Sequence, residues 1–391
     1  MKNNKNLSAP FSFILPTKIE YGTGCLAKLP EMLKDEGVSR PLVVTDKGIR
    51  AAGIADKVTA CLDAAGVTYC VFDEIEPNPK DYNVEAGAVA ARQFGADSII
   101  AVGGGSPIDC SKSIGVLLAH DADKIKPYEG KTGIKKAIPP LFTVPTTSGT
   151  GSELTFSSVI TDTANHYKMT VKSPLIAAKV ALCDPELTIS VPPSVTAATG
   201  VDALTHAIEA YTANCSEPFS DAVALYAIEL IYNNLEAAVR NGKDIHAREA
   251  MLMGSMLAGV AFSHSDVASV HCIAETLGGI YDLPHGLCNA IFLPHMMEYN
   301  SCCCQDKYAR VARAMGLEFS TEEEGCEKAV AAVQKLCLDV GLPEFRSLNV
   351  PVESFERIAE ISARNISTES NPRPMAVEDY MAVLHSANKA K

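Results

Sequence analysis

The 391-residue sequence contains no apolar run long enough to span a bilayer and no run of lysine or arginine. Its formal net charge is −13 and its isoelectric point is about 5.2, so its electrostatic field repels nucleic acids and anionic membranes. The first residues are polar and are followed by Pro10 and Pro16, which leaves no apolar core for a signal peptide. These absences predict a soluble, cytoplasmic protein without nucleic-acid or membrane partners.

Cysteine pairs of the Cys-x-x-Cys type are also absent, although the sequence holds 13 cysteines. Because they are scattered over a long acidic chain, they indicate reduced thiols rather than the disulfide framework of a small secreted protein. The adjacent residues Cys302, Cys303 and Cys304 are too close for ordinary bridging. Internal repeats and low-complexity tracts are lacking as well.

The apolar pattern changes near the middle of the chain, whose length exceeds that of a single core. In the first half, short strand-like runs alternate with helical patterns, as in a parallel sheet flanked by helices. These runs lie at 41–46, 67–72, 98–102 and about 140–144. Beyond Pro192 and Pro193 the patterns are all helical. We therefore predict an α/β domain with a parallel sheet at 1–190 and an all-helical domain at 191–391.

One strand runs into Gly103-Gly104-Gly105-Ser106-Pro107-Ile108-Asp109, here called the glycine loop (103–109). Glycines let a backbone approach a phosphate closely, and the first N–H groups of a following helix attract an anion. Ser106 suits the N-cap, Pro107 the first helical position and Asp109 the return bond of a capping box. The loop lacks the third glycine of the G-x-G-x-x-G fingerprint, so by itself it fits a tight turn without ligand as well as a dinucleotide site.

A second loop, Thr146-Thr147-Ser148-Gly149-Thr150-Gly151-Ser152-Glu153, is here called the threonine loop (146–153). Its hydroxyls and glycines follow a predicted strand and suit the sugar and phosphate groups of a dinucleotide, or form a polar turn. Asp46 ends the first predicted strand, where a carboxylate accepts both ribose hydroxyls of adenosine and repels a 2′-phosphate. By itself, an aspartate at the end of a strand is more often a turn residue than a ribose ligand. If Asp46 does bind the ribose, it favours NAD over NADP.

The second half contains one carboxylate and three imidazoles at spacings that a metal can use. Asp202 and His206 lie four apart in a run without a helix breaker, so they share one helix face. With His271 and His285 they supply one oxygen and three nitrogen ligands, which suit a divalent metal such as iron or zinc. For any one of these residues alone, a role without metal is favoured: Asp202 and His206 as a solvated pair on a helix, and His271 and His285 as core or loop residues. The metal is favoured because the chain has only nine histidines and two of these three lie in or beside glycine-rich turns.

These motifs together resemble those of the iron-containing (group III) alcohol dehydrogenases over nearly the whole chain. The strongest matches are Gly200-Val201-Asp202-Ala203-Leu204-Thr205-His206-Ala207-Ile208-Glu209-Ala210-Tyr211 and Pro284-His285-Gly286-Leu287-Cys288-Asn289-Ala290. The other matches are the glycine loop, the threonine loop, Tyr21-Gly22-Thr23-Gly24, Val44-Thr45-Asp46-Lys47-Gly48, Pro77-Asn78-Pro79 and Asn371-Pro372-Arg373.

The resemblance implies a dehydroquinate synthase-like fold, in which the active site lies in a cleft between an N-terminal dinucleotide-binding domain and an all-helical domain. It implies that the metal, usually Fe(II) but with zinc or another divalent ion as alternatives, is bound by Asp202, His206, His271 and His285. The residues that it implies for NAD(H) binding are Asp46, Asn78, Gly103, Gly104, Gly105, Ser106, Asp109, Thr146, Thr147, Thr150 and Lys168.

The sequence departs from the family pattern near the third metal ligand. Glu275 stands where relatives commonly have a histidine that is thought to relay the alcohol proton. Glu275 relays that proton instead, becomes an extra ligand, or merely holds a helix. His264 stands where relatives usually carry asparagine, and Asp266 and Ser269 stand where small residues are common. We interpret His264 as part of a reshaped substrate pocket, with a fifth metal ligand as the alternative.

The expected activity is hydride transfer between NAD(H) and a small primary alcohol or its aldehyde, with Fe(II) as Lewis acid. One alternative is reduction of a functionalised small aldehyde (sulfonated, carboxylated or hydroxylated) in a catabolic pathway. An alternative of another class is an assembly or scaffold protein with a vestigial site. From the resemblance alone we also expect a homodimer or a higher homo-oligomer.

Overall fold

The computed structural model describes residues 10–389, which fall into two compact units. One unit comprises residues 15–191, and the other comprises residues 10–14 together with 192–389. The sequence placed residues 10–14 in the first domain, but the Phe13 ring stacks on His264 with 4.0 Å between ring centroids. The ends of the predicted domains, at 1–9 and 390–391, lie outside the described residues.

A parallel sheet forms the centre of the 15–191 unit. Its strands are β1 (Lys18–Tyr21), β2 (Pro41–Val44), β3 (Cys70–Phe72), β4 (Ser98–Gly103), β5 (Leu141–Pro145) and β8 (Val180–Cys183). They lie in the order β1-β8-β5-β4-β2-β3, and every neighbouring pair is parallel. The predicted α/β class with a parallel sheet is therefore confirmed.

Helices cover both faces of this sheet. They are α1 (Leu29–Asp35), α2 (Lys47–Ala51), α3 (Ile54–Ala64), α4 (Asp81–Phe94) and α5 (Gly105–His120). Because strand side chains alternate between faces, Val43 and Ile100 share a core with Val58 of α3. Leu42 and Ile99 share a second core with Ile114 of α5. Burial on both faces explains why these strands are continuously apolar.

The strand order reverses between β2 and β4, which are neighbours in the sheet. From β2 the chain continues to β3 on one side, whereas from β4 it continues to β5 and β8 on the other. In open α/β sheets, ligands bind outside the carboxyl ends of strands at such a reversal. Asp46 follows β2 and the glycine loop follows β4, so both lie at this point of the sheet.

An antiparallel hairpin interrupts the alternation and was not predicted. It consists of β6 (Ser157–Asp162) and β7 (Tyr167–Lys172), paired from Ser157 with Lys172 to Asp162 with Tyr167. The edge strand β1 and the strand β8 were also missed. The hairpin carries Lys168 and lies directly after the threonine loop.

The second unit is helical, which confirms the predicted all-α class. Its helices are α6 (Pro193–Thr212), α7 (Pro218–Arg240), α8 (Ile245–Ser265), α9 (Ser269–Tyr281), α10 (His285–Asn300), α11 (Gln305–Ala314), α12 (Glu322–Asp339), α13 (Phe355–Arg364) and α14 (Val377–Asn388). One continuous apolar core joins them, with Val201 and Leu204 of α6 packed among Ile228 and Ile231 of α7. The side of α6 that carries Asp202 and His206 is thus buried as well.

None of the helices within residues 10–389 is long and apolar enough to cross a membrane. All 13 cysteines lie in this part of the chain, and all of them are free thiols.

Candidate active site

Three helices of the second unit bring the four predicted metal ligands together. Asp202 and His206 lie one turn apart on α6, His271 lies in the first turn of α9, and His285 is the first residue of α10. Their ligand atoms all lie within 4.8 Å of one another. Asp202, His206 and His271 are buried, and His285 is half-buried.

The start of α10 reaches α6 because Gly286 has no side chain. A Cβ at Gly286 would lie 3.1 Å from the carbonyl oxygen of Ala198 and 3.3 Å from the Cβ of Asp202. The close approach places His285 beside the ligands on α6. On the other side, the His206 ring stacks on Phe262 of α8, with 4.5 Å between centroids. Helix packing therefore sets the positions of two ligands.

A buried carboxylate orients the third ligand. Glu209 lies one turn after His206 on α6, and its Oε2 accepts a hydrogen bond from His271 Nδ1 at 2.6 Å. With Nδ1 donating, the lone pair of His271 is on Nε2, which has no hydrogen-bond partner among the described residues. Burial opposes protonation of His271, but the Glu209 hydrogen bond and charge outweigh it and raise the pKa.

Glu209 also caps the helix that carries His271. Its carboxylate accepts from the backbone N–H groups of Ala268 at 2.9 Å and Val270 at 2.7 Å. The first N–H groups of a helix lack partners within the helix, and the N-cap residue Ala268 has no side-chain acceptor. One side chain therefore holds both the end of α9 and the ring of His271.

Asn289 contacts two of the predicted ligands, Asp202 and His285. Its Nδ2 donates to Asp202 Oδ1 at 2.6 Å and lies 3.1 Å from His285 Nε2. Asn289 is fully buried on α10, one turn after His285. It thus links a ligand of α6 to a ligand of α10.

The donor set fits a divalent transition metal. One carboxylate and three imidazoles are ligands that iron and zinc accept, and they leave room for one further oxygen. A dication here would also offset the charges of two buried carboxylates, Asp202 and Glu209.

Glu275 lies one turn after His271 on α9 and is half-buried. Its Oε2 accepts a hydrogen bond from Asn365 Nδ2 at 2.7 Å. Among the described residues, the group of four close ligand atoms does not include Glu275. Its position on the His271 face suits a group beside the site rather than a member of the first coordination shell.

His264, at the end of α8, contacts the segment 10–14. Its Nδ1 lies 2.8 Å from the carbonyl oxygen of Val260, and its Nε2 lies 3.1 Å from the Ile14 nitrogen and 2.9 Å from the Ile14 oxygen. Among residues 10–389, the cluster of close ligand atoms does not include His264 either. The pocket role stays a prediction.

Asp266, at the end of α8, adopts an unusual backbone conformation. Its φ of 74° and ψ of 170° are nearly restricted to glycine. The side chain compensates by accepting hydrogen bonds from the Ser367 and Ser370 hydroxyls, at 3.3 and 3.2 Å. The turn between α8 and α9 is therefore held by polar contacts where relatives favour a small residue.

In the 15–191 unit, the glycine and threonine loops lie against each other. Thr146 N donates to the Gly103 oxygen at 3.1 Å. A Cβ at Gly104 would lie 2.8 Å from Thr147 Oγ1, and a Cβ at Gly105 would lie 2.7 Å from Thr150 Cγ2. These glycines are therefore required by the neighbouring loop, independently of any ligand.

The predicted capping of α5 was wrong. The N-cap is Gly104 rather than Ser106, the helix begins at Gly105, and no side chain caps it. Asp109 accepts bonds from Ser152 Oγ at 2.5 Å and Val159 N at 2.9 Å instead. The pKa of Asp109 is raised because the carboxylate is buried. The first N–H groups of α5 therefore receive no side-chain cap from Gly104, and such groups at the start of a helix attract an anion.

The other predicted nucleotide residues occupy two places in the same unit. Asp46 caps α2, since its Oδ1 accepts from Ile49 N at 2.9 Å. Asn78 and Lys168 are joined, because Lys168 Nζ donates to Asn78 Oδ1 at 2.9 Å. Asn78 has a positive φ of 51°. The hairpin that carries Lys168 is thereby tied to the loop before α4.

Sequence reasoning missed Glu209 and Asn289 as site residues. The signal was present, because Glu209 lies seven residues after Asp202 and three after His206, on the same helix face. Asn289 lies four residues after His285 in the same manner. Looking in the sequence for polar residues one or two helical turns from each predicted ligand would have identified Glu209 and Asn289.

Two family descriptions match the chain. Residues 16–185 match "Iron-containing alcohol dehydrogenase" and residues 196–388 match "Fe-containing alcohol dehydrogenase family, C-terminal". The 1,3-propanediol dehydrogenase of Klebsiella pneumoniae is 39% identical over 382 residues, which cover 96% of this chain and 98% of that protein.

Solved structures of related enzymes have the same fold as this chain. A crystal structure of 1,3-propanediol oxidoreductase has a TM-score of 0.94 at 39% identity and covers 97% of this chain and 100% of that chain. The sulfoacetaldehyde reductase of Bifidobacterium kashiwanohense, solved in complex with NAD+, has a TM-score of 0.88 at 29% identity and covers 98% and 100%. These matches extend over nearly the whole chain, so the protein is an oxidoreductase and belongs to the iron-containing alcohol dehydrogenase family.

Proposed function

We propose that this enzyme transfers a hydride between NAD(H) and a small primary alcohol or its aldehyde, with Fe(II) held by Asp202, His206, His271 and His285. The observation that carries the proposal is the convergence of four side chains, three buried and one half-buried, whose ligand atoms lie within 4.8 Å of one another. A scaffold with a vestigial site has no need to keep one carboxylate and three imidazoles in this arrangement.

When bound, the metal would supply Lewis-acid polarisation of the alcohol or carbonyl oxygen. The residues of the chain prepare the site for this chemistry. Glu209 holds the His271 ring with Nε2 available for coordination, and Asn289 restrains Asp202. Such partners of ligands limit the freedom of the ligand side chains, so less entropy is lost when the metal binds.

The glycine and threonine loops support NAD(H) binding in the 15–191 unit. They follow adjacent strands, β4 and β5, at the carboxyl edge of the sheet. The open N-terminus of α5 suits a pyrophosphate, and the loop hydroxyls suit the ribose and nicotinamide amide. Asp46, next to the strand reversal, favours the ribose hydroxyls of NAD over the 2′-phosphate of NADP.

A functionalised small aldehyde is the second candidate for the substrate. The related 1,3-propanediol dehydrogenase is named for a diol, and the related sulfoacetaldehyde reductase is named for a sulfonated aldehyde. A carboxylate at Glu275 disfavours anionic substrates in its vicinity. Hydroxylated aldehydes therefore rank before sulfonated and carboxylated ones.

The test is anaerobic NADH oxidation with a panel of plain, hydroxylated, sulfonated and carboxylated aldehydes, after metal removal and after reconstitution with Fe(II) or Zn(II). The proposal expects turnover that depends on added metal and a preference for uncharged aldehydes. Failure to bind either metal or NADH would contradict it. NADPH in place of NADH measures the selectivity expected of Asp46.

We further propose a cytoplasmic homodimer or larger homo-oligomer, with a domain boundary at about residue 190. The oligomeric state rests on the family resemblance alone, whereas the location rests on the acidic composition and the scattered cysteines of the sequence. Light scattering on the purified enzyme measures the oligomeric state, and a monomer at working concentration would contradict this proposal. Limited proteolysis tests the boundary.

A further inference from the structure

Two exposed thiols lie side by side directly after helix α10. Cys302 and Cys303 are both exposed, and their Sγ atoms lie 3.7 Å apart. A backbone hydrogen bond from Cys303 N to the Asn300 oxygen, at 2.9 Å, closes the turn that carries them. Side chains of adjacent residues point to opposite faces of a strand and do not face each other on a helix. This turn, by contrast, brings the two sulfur atoms into contact.

The third cysteine of the run is in a different environment. Cys304 is buried and belongs to the apolar core of the helical unit, together with Tyr308. Burial raises the pKa of Cys304 to about 12, so it stays a neutral thiol. A buried thiol of this kind is inert, whereas exposed thiols are open to reaction and to metal binding. The pair that is available for chemistry therefore consists of Cys302 and Cys303.

The separation of the two sulfur atoms suits a shared cation better than a disulfide. The Cα atoms of neighbouring residues lie about 3.8 Å apart, which is closer than the range from about 4.4 Å in which disulfides usually form. Zinc binds thiolates at about 2.3 Å in a tetrahedral arrangement, so two sulfur ligands of one zinc ion lie about 3.8 Å from each other. The observed 3.7 Å matches this spacing. Both sulfur atoms can therefore bind one ion without a change in their separation.

The surroundings of the pair favour a cation bound to thiolates. The last carbonyl groups of a helix carry partial negative charge, and the Tyr299 oxygen near the end of α10 lies 3.9 Å from Cys302 Sγ. The hydrogen bond with Cys302 raises the pKa of Cys303, but the positive charge of Arg373 opposes this rise and favours the thiolate. The net charge of −13 attracts cations to the protein as a whole.

We propose that Cys302 and Cys303 form a second metal site, which binds a thiophilic dication of the zinc and cadmium class. On binding, two S–H bonds break, two metal–sulfur bonds form and two protons are released to solvent. Among the described residues, the group of three or more close ligand atoms includes neither cysteine, so water completes the coordination. The site is separate from the candidate active site and independent of the proposed function. His285 begins α10 and the pair follows its end, about 24 Å away along a helix of 16 residues.

Cadmium(II) is the probe for this site, because thiolate–cadmium bonds give an ultraviolet charge-transfer absorption that nitrogen and oxygen ligands do not give. Titration of the full-length enzyme, reduced beforehand and kept anaerobic, should produce this absorption, and added Zn(II) should displace the cadmium and remove it. Cys302→Ser and Cys303→Ser each leave a single thiol of the pair. Each should raise the Kd for cadmium, measured from this absorption, by at least about 100-fold, because the second ligand of a chelate acts at high effective concentration.

The matched control is Cys215→Ser, which removes an exposed thiol outside the pair and should leave the Kd for cadmium within about 2-fold. Absence of the charge-transfer absorption in the wild-type enzyme would overturn the inference. An unchanged Kd in the Cys302 and Cys303 variants, or an equal rise in the Cys215 variant, would overturn it as well. The candidate active site contributes no thiolate, so loss of NADH oxidation with the absorption intact would count against the proposed function alone.

Discussion

At the scale of single residues, the candidate metal site consists of four possible ligands and of the buried groups that hold them. Glu209 is the most connected of these groups, because it accepts from one ligand ring and from two backbone N–H groups of α9. Its carboxylate has no donor of its own, so every contact uses it as an acceptor. An amide of the same size cannot reproduce this pattern.

The variant Glu209→Gln is therefore expected to weaken metal affinity by about 10- to 100-fold, as for other groups that orient a ligand histidine. Competition with a chelator measures this affinity directly. The matched control is Glu217→Gln, which alters a buried carboxylate that caps α7 through Phe219 N and Ser220 N but touches no ligand. Equal metal affinity in the two variants would contradict the assigned role.

Glu275 offers a second test at the residue scale. If it relays the alcohol proton, Glu275→Gln should lower kcat by roughly 10²-fold, the lower range for acid–base groups, and alter the pH dependence of kcat. Metal content should be unchanged, because the described cluster does not include this residue. Unchanged kinetics would end the relay hypothesis and leave Glu275 a structural role, such as its hydrogen bond from Asn365.

Glu153, at the end of the threonine loop, carries a pH dependence of stability. Burial raises the pKa of Glu153 from 4.5 to about 7, so between these values the folded protein keeps a proton that the unfolded chain has lost. The contribution of Glu153 to the free energy of unfolding therefore falls as the pH rises through this window. The free energy of unfolding of Glu153→Gln minus that of the wild type, both measured with urea, should therefore be about 3 kcal/mol higher at about pH 8 than at about pH 4. A constant difference at both pH values would contradict this expectation.

At the scale of elements, the site depends on how helices begin and end. Two of the four ligands lie in the first turn of α9 or α10, and the turn before α9 contains the strained Asp266. A glycine at this position would avoid the strain. In this chain, side-chain contacts from Ser367 and Ser370 offset it.

Two substitutions at Asp266 separate strain from these contacts. Both Asp266→Gly and Asp266→Ala remove the carboxylate, but only glycine adopts φ 74° and ψ 170° without cost. The glycine variant should therefore be more stable than the alanine variant by about 1–3 kcal/mol in denaturant unfolding. The control is the same pair of substitutions at Asp56, an exposed residue of α3. There the alanine variant should be the more stable one, by about 1 kcal/mol, because glycine weakens a helix. The same order at both positions would refute the account of strain.

At the scale of the whole molecule, the two units are expected to respond to different ligands. The four candidate metal ligands all belong to the unit of residues 10–14 and 192–389, whereas the glycine and threonine loops belong to residues 15–191. Each ligand stabilises the structure to which it binds, by about 2.7 kcal/mol at 100 times its Kd.

Hydrogen exchange with mass spectrometry resolves the two effects. Fe(II) added anaerobically should slow amide exchange in α6, α9 and the start of α10, and NADH should slow it in the glycine and threonine loops. Removal of the metal by a chelator should reverse only the first effect. Protection of the sheet unit by the metal alone would contradict the assignment of ligands.

The sequence by itself determined the fold class, the alternation of strands and helices from β2 to β5 and the four candidate metal ligands, because each follows from local periodicity or from a compact motif. Tertiary structure alone decided the rest. The hairpin β6–β7 and the edge strand β1 carry weak local patterns and are stable only through their partners. Glu209 and Asn289 gained their roles from contacts with His271 and Asp202, which lie 62 and 87 residues away in the chain. The physical reason is that a buried polar group must find partners, and which partners it finds depends on packing rather than on spacing.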